Sequence, residues 1–320
     1  MARLVRAYTR HTPVSRGKYR LMVIGERWWA GAYPPTTTTR DGRVLLLDRD
    51  SGMSGTVFWL GEYEKAISQV VRGLILEGDT TIDVGANFGW YTTLFAQLCG
   101  PRGEVHAFEP LPEAADWLAR DVAMNSGVAP VRITRAALGE APRASVDLHV
   151  FAGMTMGETS LAPSLGTVAR TVRVPMTTLD AHLDAVGKPA VRLLKVDAEG
   201  AEFSIVKGAH ELLSGPKPPL WIMEMSVQTS QEFGYHPNEV ISLFRRYGSY
   251  RFLAIDEVRC ELVDLGAGFF EGEIGANVLC VPETVGLPRG LEQVVRPRRL
   301  TDFQPRHARE SANMVIGEDR

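Results

Sequence analysis

The chain has 320 residues, 45% hydrophobic and 23% charged, with a formal net charge of −3. That is soluble globular composition, long enough to bury one large core or two smaller ones, and it gives no footing for nucleic acid or an anionic membrane as partner. No apolar run approaches the ~18 residues of a membrane span, and Cys99, Cys260 and Cys280 form neither a disulfide framework nor a metal spacing, which fits a reducing, cytoplasmic setting.

The basic start, MARLVRAYTRHTPVSRGKYR, lacks the apolar run of a signal peptide and reads as a solvated arm. Residues 1–60 are expected to form an N-terminal β-hairpin/helix extension, placed to cap a substrate. Its hairpin is expected from YRLMVIG (19–25) and RVLLLD (43–48), and TTTT (36–39) reads as loop or edge strand. In GEYEKAISQVVRGLILEGD, Ile67, Val71 and Leu74 recur at helical spacing, and Gly78-Asp79 end the helix.

From residue 80, short apolar runs alternate with helical segments. TTIDV (80–84), EVHAFE (104–109), VRIT (131–134), VRLLKVD (191–197) and PLWIMEM (219–225) are strand-like. WYTTLFAQL (90–98) and PEAADWLARDVAM (112–124) are helical; in the second, Ala115, Leu118 and Val122 share a face and Pro112 suits a first turn. Strands apolar on both faces, joined by helical crossovers, predict an α/β, doubly wound, Rossmann-like sheet with helices on both faces. An insertion at about 140–175 holds SVDLHVF (145–151) and VARTVRVP (168–175) around the loop AGMTMGETSLAPSLG (152–166). That loop reads as a substrate lid or as a plain exposed hairpin. RFLAI (251–255) and NVLCV (277–281) are late strands, and 286–320 reads as a polar, Arg-rich, poorly ordered tail.

In such sheets the ligand sits beyond the carboxyl ends of the strands. Asp83 closes the first strand, and the chain turns through Gly85-Ala86-Asn87-Phe88-Gly89 into a helix whose amides favour an anionic group. A dinucleotide fingerprint needs G-x-G-x-x-G, so that open backbone can meet a pyrophosphate. Here Asn87 stands in the place of the second glycine. That favours a smaller ligand end carrying an amine and a carboxylate, as S-adenosylmethionine does.

Glu109, 26 residues after Asp83 and followed by Pro110, can accept hydrogen bonds from both hydroxyls of a ribose; the plain alternative is a solvated charge. Ala137 and Leu138, in RAALGE (135–140), are the expected adenine wall. In LLKVDAEGAEF (193–203), Lys195, Asp197 and Glu199 cluster at the end of a buried strand, where charges need partners. Lys195 with Glu224 reads as a structural ion pair, and Glu202 as helix-start chemistry. Phe203, Val206 and Leu213 read as the core stripe of the following helix. None of the seven histidines falls at a strand end. A carboxylate is therefore the expected general base, Asp197 first and Glu199 second, and no metal is expected.

Together, TTIDVGANFGWYT, FEP, AALG, TTLDAHL, LLKVDAEGAEFSIVKGA, WIMEMS and NVLCVP resemble the FkbM-type family of class I S-adenosylmethionine-dependent methyltransferases, over roughly residues 60–285. The resemblance implies a seven-stranded, mostly parallel sheet with a final antiparallel strand, in a domain spanning 61–285. It implies S-adenosylmethionine as cofactor, S-adenosylhomocysteine as product, and methyl transfer, most often to a hydroxyl of a sugar, polyketide or other secondary metabolite. Carried over residue by residue, Asp83, Gly85, Asn87 and Gly89, with Phe88 between them, hold the methionine end. Glu109 with Pro110 holds the ribose, Ala137 and Leu138 lie by the adenine, and Asp197 lies near the methyl donor and acceptor.

The expected partner is a small hydroxyl-bearing acceptor, and a homodimer is admitted. The acceptor pocket is expected from 152–166, ERWWAGAY (26–33) and SVQTSQEFGYH (226–236), with Trp28 and Trp29 either stacking on a sugar or filling core. Two other readings stay open. One is an NAD(P)-dependent Rossmann oxidoreductase, which Asn87 disfavours. The other is a non-catalytic binding protein that keeps the fold.

Overall fold

A computed structural model describes residues 2–11, 17–29, 34–48, 52–152, 159–163, 166–266 and 275–296. The extension consists of α1 (Ala2–His11), α2 (Lys18–Trp29), the hairpin strands β1 (Thr36–Thr38) and β2 (Val44–Leu46), and α3 (Gly52–Leu60). The run 19–25, expected as a strand, lies within α2. Met22 and Gly25, one turn apart, both sit against Trp59, while Val23 and Ile24 are exposed. A strand would have alternated; a short apolar run cannot be assigned by periodicity alone. The hairpin forms instead between β1 and β2, in the register Thr36↔Leu46.

That hairpin docks on the domain through buried polar groups. Arg43 donates to the Trp90 carbonyl at 2.7 Å and to Thr93 Oγ1 at 2.8 Å, and pairs with Asp41. Asp121 Oδ1 accepts the Leu46 N–H at 2.8 Å, and Asn125 Oδ1 accepts the Val44 N–H at 3.0 Å. Two side chains one helical turn apart thus satisfy a strand edge that would otherwise be open.

In chain order there follow α4 (Lys65–Leu74), β3 (Thr80–Val84), α5 (Trp90–Cys99), β4 (Glu104–Phe108), α6 (Pro112–Ala123) and β5 (Val131–Thr134). The insertion supplies β6 (Ala137–Leu138), β7 (Arg143–Phe151), β8 (Thr159–Ser160) and β9 (Val168–Thr177). Then come α7 (Leu179–Ala185), β10 (Val191–Val196), α8 (Glu202–Lys207), α9 (His210–Ser214), β11 (Leu220–Met225), α10 (Val227–Glu232), α11 (Pro237–Tyr247), β12 (Tyr250–Asp256), β13 (Glu261–Asp264), β14 (Ala276–Pro282), α12 (Arg289–Glu292) and β15 (Val295–Arg296).

The main sheet has the order β15-β13-β12-β14-β11-β10-β3-β4-β5. It is parallel from β11 to β5, and β14 runs antiparallel to both its neighbours. These are the expected seven strands with an antiparallel one, extended at one edge by β13 and β15. The residues from 286, expected as loose tail, begin by packing: Leu291 closes on Gly73 of α4, and β15 pairs with β13. Two-residue pairings of this kind leave no periodic trace in a sequence. Residues 297–320 lie outside the described residues.

Both faces of the sheet are covered, as the continuous apolar runs require. Ile82, Leu194, Trp221 and Met223 pack on one face with Ile205, Val240 and Phe244. Leu193, Leu220, Ile222 and Val105 pack on the other with Ile67, Val71, Leu94 and Phe95. The insertion forms a separate sheet, β6-β9-β7-β8, rather than a bare hairpin. Part of its loop, 153–158 and 164–165, lies outside the described residues. Strand order reverses between β3 and β10, so the crevice beyond their carboxyl ends is the topological switch point. No helix among the described residues is long and apolar enough to cross a membrane.

Candidate active site

At the end of β3 the chain enters the turn 85–89. Gly85 (φ +74) is required there because a Cβ would collide with the carbonyl oxygen of Asp197 at the end of β10. Gly89 (φ +90) opens α5, where a Cβ would stand 2.6 Å from Leu118 Cδ1. Both glycines therefore answer to neighbouring elements. The Gly85 and Ala86 N–H groups each donate to the Phe108 carbonyl at 3.0 Å.

Asn87 is left-handed at φ 49, a conformation asparagine tolerates better than most residues. Its N–H donates to Glu109 Oε2 at 2.8 Å, and the Leu111 N–H donates to Oε1 at 2.8 Å. Each carboxylate oxygen thus holds one backbone donor and keeps acceptor capacity for another. Burial lifts the Glu109 carboxyl to about 7, against these two bonds, which pull it down.

Gly85, Ala86, Asn87, Phe88, Glu109, Pro110, Ala137, Leu138, Asp197 and Glu199 converge on one cleft of about 250 Å³. Asp83 and Gly89 stand behind its wall. Asp83 is buried and accepts the Thr92 hydroxyl at 2.5 Å, bracing the turn against α5; burial raises its pKa to about 6. Ala137 and Leu138 are set by β6, whose pairing with β9 holds them in register with Met176 and Thr177.

The far end of the cleft is acidic. Lys195, only 1% exposed, donates to Asp197 Oδ2 at 2.9 Å and lies 5.3 Å from the centre of the Tyr91 ring. Its ion-pair partner is thus Asp197 rather than the expected Glu224. Glu224 stands beside Asp197 on the neighbouring strand, and the Asp197 charge, followed by burial, pushes the Glu224 carboxyl well above its ordinary range.

Sequence reading missed Glu64, Tyr63, Tyr91 and Met53, which also line the cleft. Glu64, just before α4, accepts the Tyr91 hydroxyl; burial raises its pKa, although Lys195 opposes this. In the sequence it offers only helix-start chemistry. The structure adds a second signal: Glu64 (φ 42), Asn87 (φ 49) and Glu199 (φ 48) are left-handed non-glycine residues lining the same cleft. Such backbone concentrates at ligand sites.

The segment 226–236 supports the cleft from behind. The Tyr235 hydroxyl donates to the Gly200 carbonyl at 2.9 Å and to Glu202 Oε2 at 3.1 Å. From the insertion, Thr159, Ser160 and Leu161 reach the cleft, and the Ser160 hydroxyl donates to the Glu199 carbonyl at 3.0 Å. The side chains of Trp28 and Trp29, and residues 30–33, lie outside the described residues. His106 and His182 bond each other at 3.0 Å away from the cleft, and His236 caps α11. Among the described residues, no group of three or more metal-ligating side chains is arranged to hold a metal.

The cleft is rich in acceptors. Asn87 Oδ1 is buried without a hydrogen-bond partner, Glu109 has lone pairs to spare, and carboxylates line the far end. The ligand that fits brings hydrogen-bond donors and positive charge.

The methyltransferase FkbM domain matches residues 83–252, more than half of the chain. A relative, methyltransferase sdnD of Sordaria araneosa, is 27% identical over 157 residues, covering 41% of this chain and 60% of that protein. The chain thus spans less than two thirds of that relative's length. Among solved structures, fibrillarin of Aeropyrum pernix with bound S-adenosyl-L-methionine is 13% identical, covering 68% of this chain and 74% of its own, with a TM-score of 0.37. An S-adenosylmethionine-dependent methyltransferase of Aquifex aeolicus is 14% identical, covering 68% and 88%, with a TM-score of 0.35.

Proposed function

The chain belongs to the FkbM methyltransferase family, and on that premise we propose that it moves the methyl group of S-adenosylmethionine to a hydroxyl of a small acceptor, a sugar or secondary metabolite. The observation that carries this reading is a pair of acceptors on the cleft wall, the unpartnered Asn87 Oδ1 and the Glu109 carboxylate, whose oxygens each hold one backbone donor. S-adenosylmethionine brings the complementary donors: an ammonium group and two ribose hydroxyls. A pyrophosphate would instead meet the Glu109 carboxylate, an acid with no donor to offer it when ionised.

When bound, S-adenosylmethionine supplies an electrophilic methyl group on a sulfonium centre. The chain's own residues do the rest. Asn87 Oδ1 accepts from the ammonium group, Glu109 accepts from the ribose hydroxyls, and Ala137 with Leu138 flanks the adenine. Asp197 accepts a hydrogen bond from the acceptor hydroxyl and orients its oxygen. As its oxygen takes on the methyl group and the S–C bond breaks to leave the neutral thioether, that hydroxyl would become strongly acidic, so a weak base would suffice and the Asp197 carboxylate would take the proton. Positioning of this kind supplies roughly 7–11 kcal/mol, and a base about 10²–10⁴-fold.

The test is binding followed by product analysis. S-adenosylhomocysteine should raise the melting temperature where NAD(H) does not. With methyl-labelled donor and a set of sugar and phenol acceptors, the label should appear as an ether. Asp197→Asn should lower turnover far more than donor affinity. Failure of S-adenosylhomocysteine to bind, or label found only on nitrogen, would sink the reading.

A further inference from the structure

We propose that Glu224 is held as the neutral acid and donates its proton to Asp197, so that the two strand-end carboxyls present one negative charge to the methyl donor and acceptor. The consequence for catalysis rests on the methyl-transfer reading above; the protonation itself does not.

The arrangement follows from strand register. β10 and β11 pair Lys195 with Ile222 and Val196 with Met223, so the next step places Asp197 opposite Glu224. Neighbouring strands lie about 4.8 Å apart, and residues in register share a face. On the other side, β11 and β14 pair Glu224 with Asn277. Asp197, Glu224 and Asn277 therefore form a polar row across three strand ends, and both carboxyls line the cleft.

Two carboxyls side by side on neighbouring strand ends favour holding one proton between them, because two adjacent negative charges repel. Lys195 decides where it resides. Its ammonium bonds Asp197 at 2.9 Å, which favours the ionised form of Asp197. Glu224 has no ion-pair partner among the described residues, so it keeps the proton. Other charged or titratable groups facing the pair are Glu199 at the end of β10, Asp83 on β3, Glu202 at the start of α8, Glu64 and Tyr63 before α4, and Tyr91 on α5. Glu199 pushes Glu224 further toward the neutral form, and Lys195 opposes it. Asn277 is only 6% exposed, and its amide takes no proton.

Ionising Glu224 would put a second negative charge at the methyl end of the site. A sulfonium ligand would then gain affinity relative to a neutral thioether. The pair as built holds a hydroxyl with one charge and avoids that second charge against the donor.

The protein carrying carbon-13-labelled glutamate carboxyls should show a protonated-carboxyl infrared band that persists at a pH above the range where Glu109 titrates. The part of the band that belongs to Glu224 should be lost in Glu224→Gln, so it should stand in the wild-type-minus-variant difference spectrum, where buried Glu64 and Glu202 cancel. That part should also be gone by that pH in Asp197→Asn, where the neighbouring charge is removed and the proton is released. By calorimetry, the affinity ratio of S-adenosylmethionine to S-adenosylhomocysteine should rise about tenfold in the wild type as Glu224 ionises, and stay level in Glu224→Gln. No such band in that difference spectrum overturns the proposal. So does the same alkaline rise in the ratio for both proteins. Should Glu224→Gln fail to fold, Asp197→Asn decides alone. If neither ligand binds, the methyl-transfer reading fails while the infrared titration of the ligand-free protein still tests the proton.

Discussion

Glu109→Gln separates two roles of one carboxylate, because it should act in opposite directions on stability and on binding as pH changes. In the wild type, Glu109 accepts one backbone N–H on each oxygen, both at 2.8 Å. A glutamine amide has one acceptor oxygen and one NH₂ donor. Whichever way it turns, either the Asn87 or the Leu111 N–H faces another donor. Leaving one of these buried N–H groups unpaired costs about 1–3 kcal/mol, also at low pH, where the wild-type carboxyl is neutral.

Against that loss stands the titration. Burial raises the carboxyl from its ordinary 4.5 to about 7, so the folded state holds the proton more tightly than the unfolded state does. The stability this contributes is full below the unfolded value and is lost as pH rises through the folded one, roughly 3 kcal/mol across the window. Glutamine does not titrate. In urea unfolding, the variant should therefore be less stable than wild type near pH 5 and equal or more stable near pH 8.

Binding runs the other way, since the ionised carboxylate is the stronger acceptor for ribose hydroxyls. Wild-type affinity for S-adenosylhomocysteine should rise through about pH 7, and the variant should bind about 10–100-fold more weakly at pH 8, without pH dependence. An equal loss of stability at both pH values would refute the titration. Affinity within threefold of wild type at pH 8 would refute the ribose role.

Three further predictions test the scaffold. Gly85→Ala puts a Cβ against the Asp197 carbonyl at a positive φ; it should destabilise the fold by about 2 kcal/mol or more, and an unchanged urea midpoint would contradict the packing argument. Asp121 is buried, with Oδ2 unpartnered, and burial raises its pKa to about 8. Wild type loses stability as pH rises through that value, so Asp121→Asn, which keeps an acceptor for Leu46, should be more stable than wild type by roughly 1–3 kcal/mol near pH 9. A less stable variant there would count against it. Asn87→Gly suits the left-handed backbone, so stability should hold to within about 0.5 kcal/mol. Affinity for S-adenosylhomocysteine should fall about 3–10-fold, and unchanged calorimetric affinity would mean that Asn87 only shapes the turn.

The parallel block was legible in the sequence because its strands are buried on both faces. TTIDV, EVHAF, VRLLKV and LWIMEM read as nearly continuous apolar runs, the half-exposed edge strand VRIT less so, and the strand-end rule points from them to Asn87, Glu109, Ala137 and Asp197. Runs of comparable length under lighter constraint misled: 19–25 became a helix because Trp59, distant in sequence, presents a surface that Met22 and Gly25 fit one turn apart. The short edge strands β13 and β15 pair over too few residues to impose a period.

What only the tertiary structure decided is which groups face one another. Gly85 is glycine because the end of β10 crosses it, a fact held jointly by two segments more than a hundred residues apart. Glu64 reaches the cleft from before α4, and Lys195 pairs with Asp197 rather than Glu224, because register sets which side chains stand opposite each other. Local sequence determines where strands begin and end, through burial and period. Pairing across the sheet determines the electrostatics of the site, because a charge at low dielectric answers to whatever lies within a few ångströms, however far away it is in the chain.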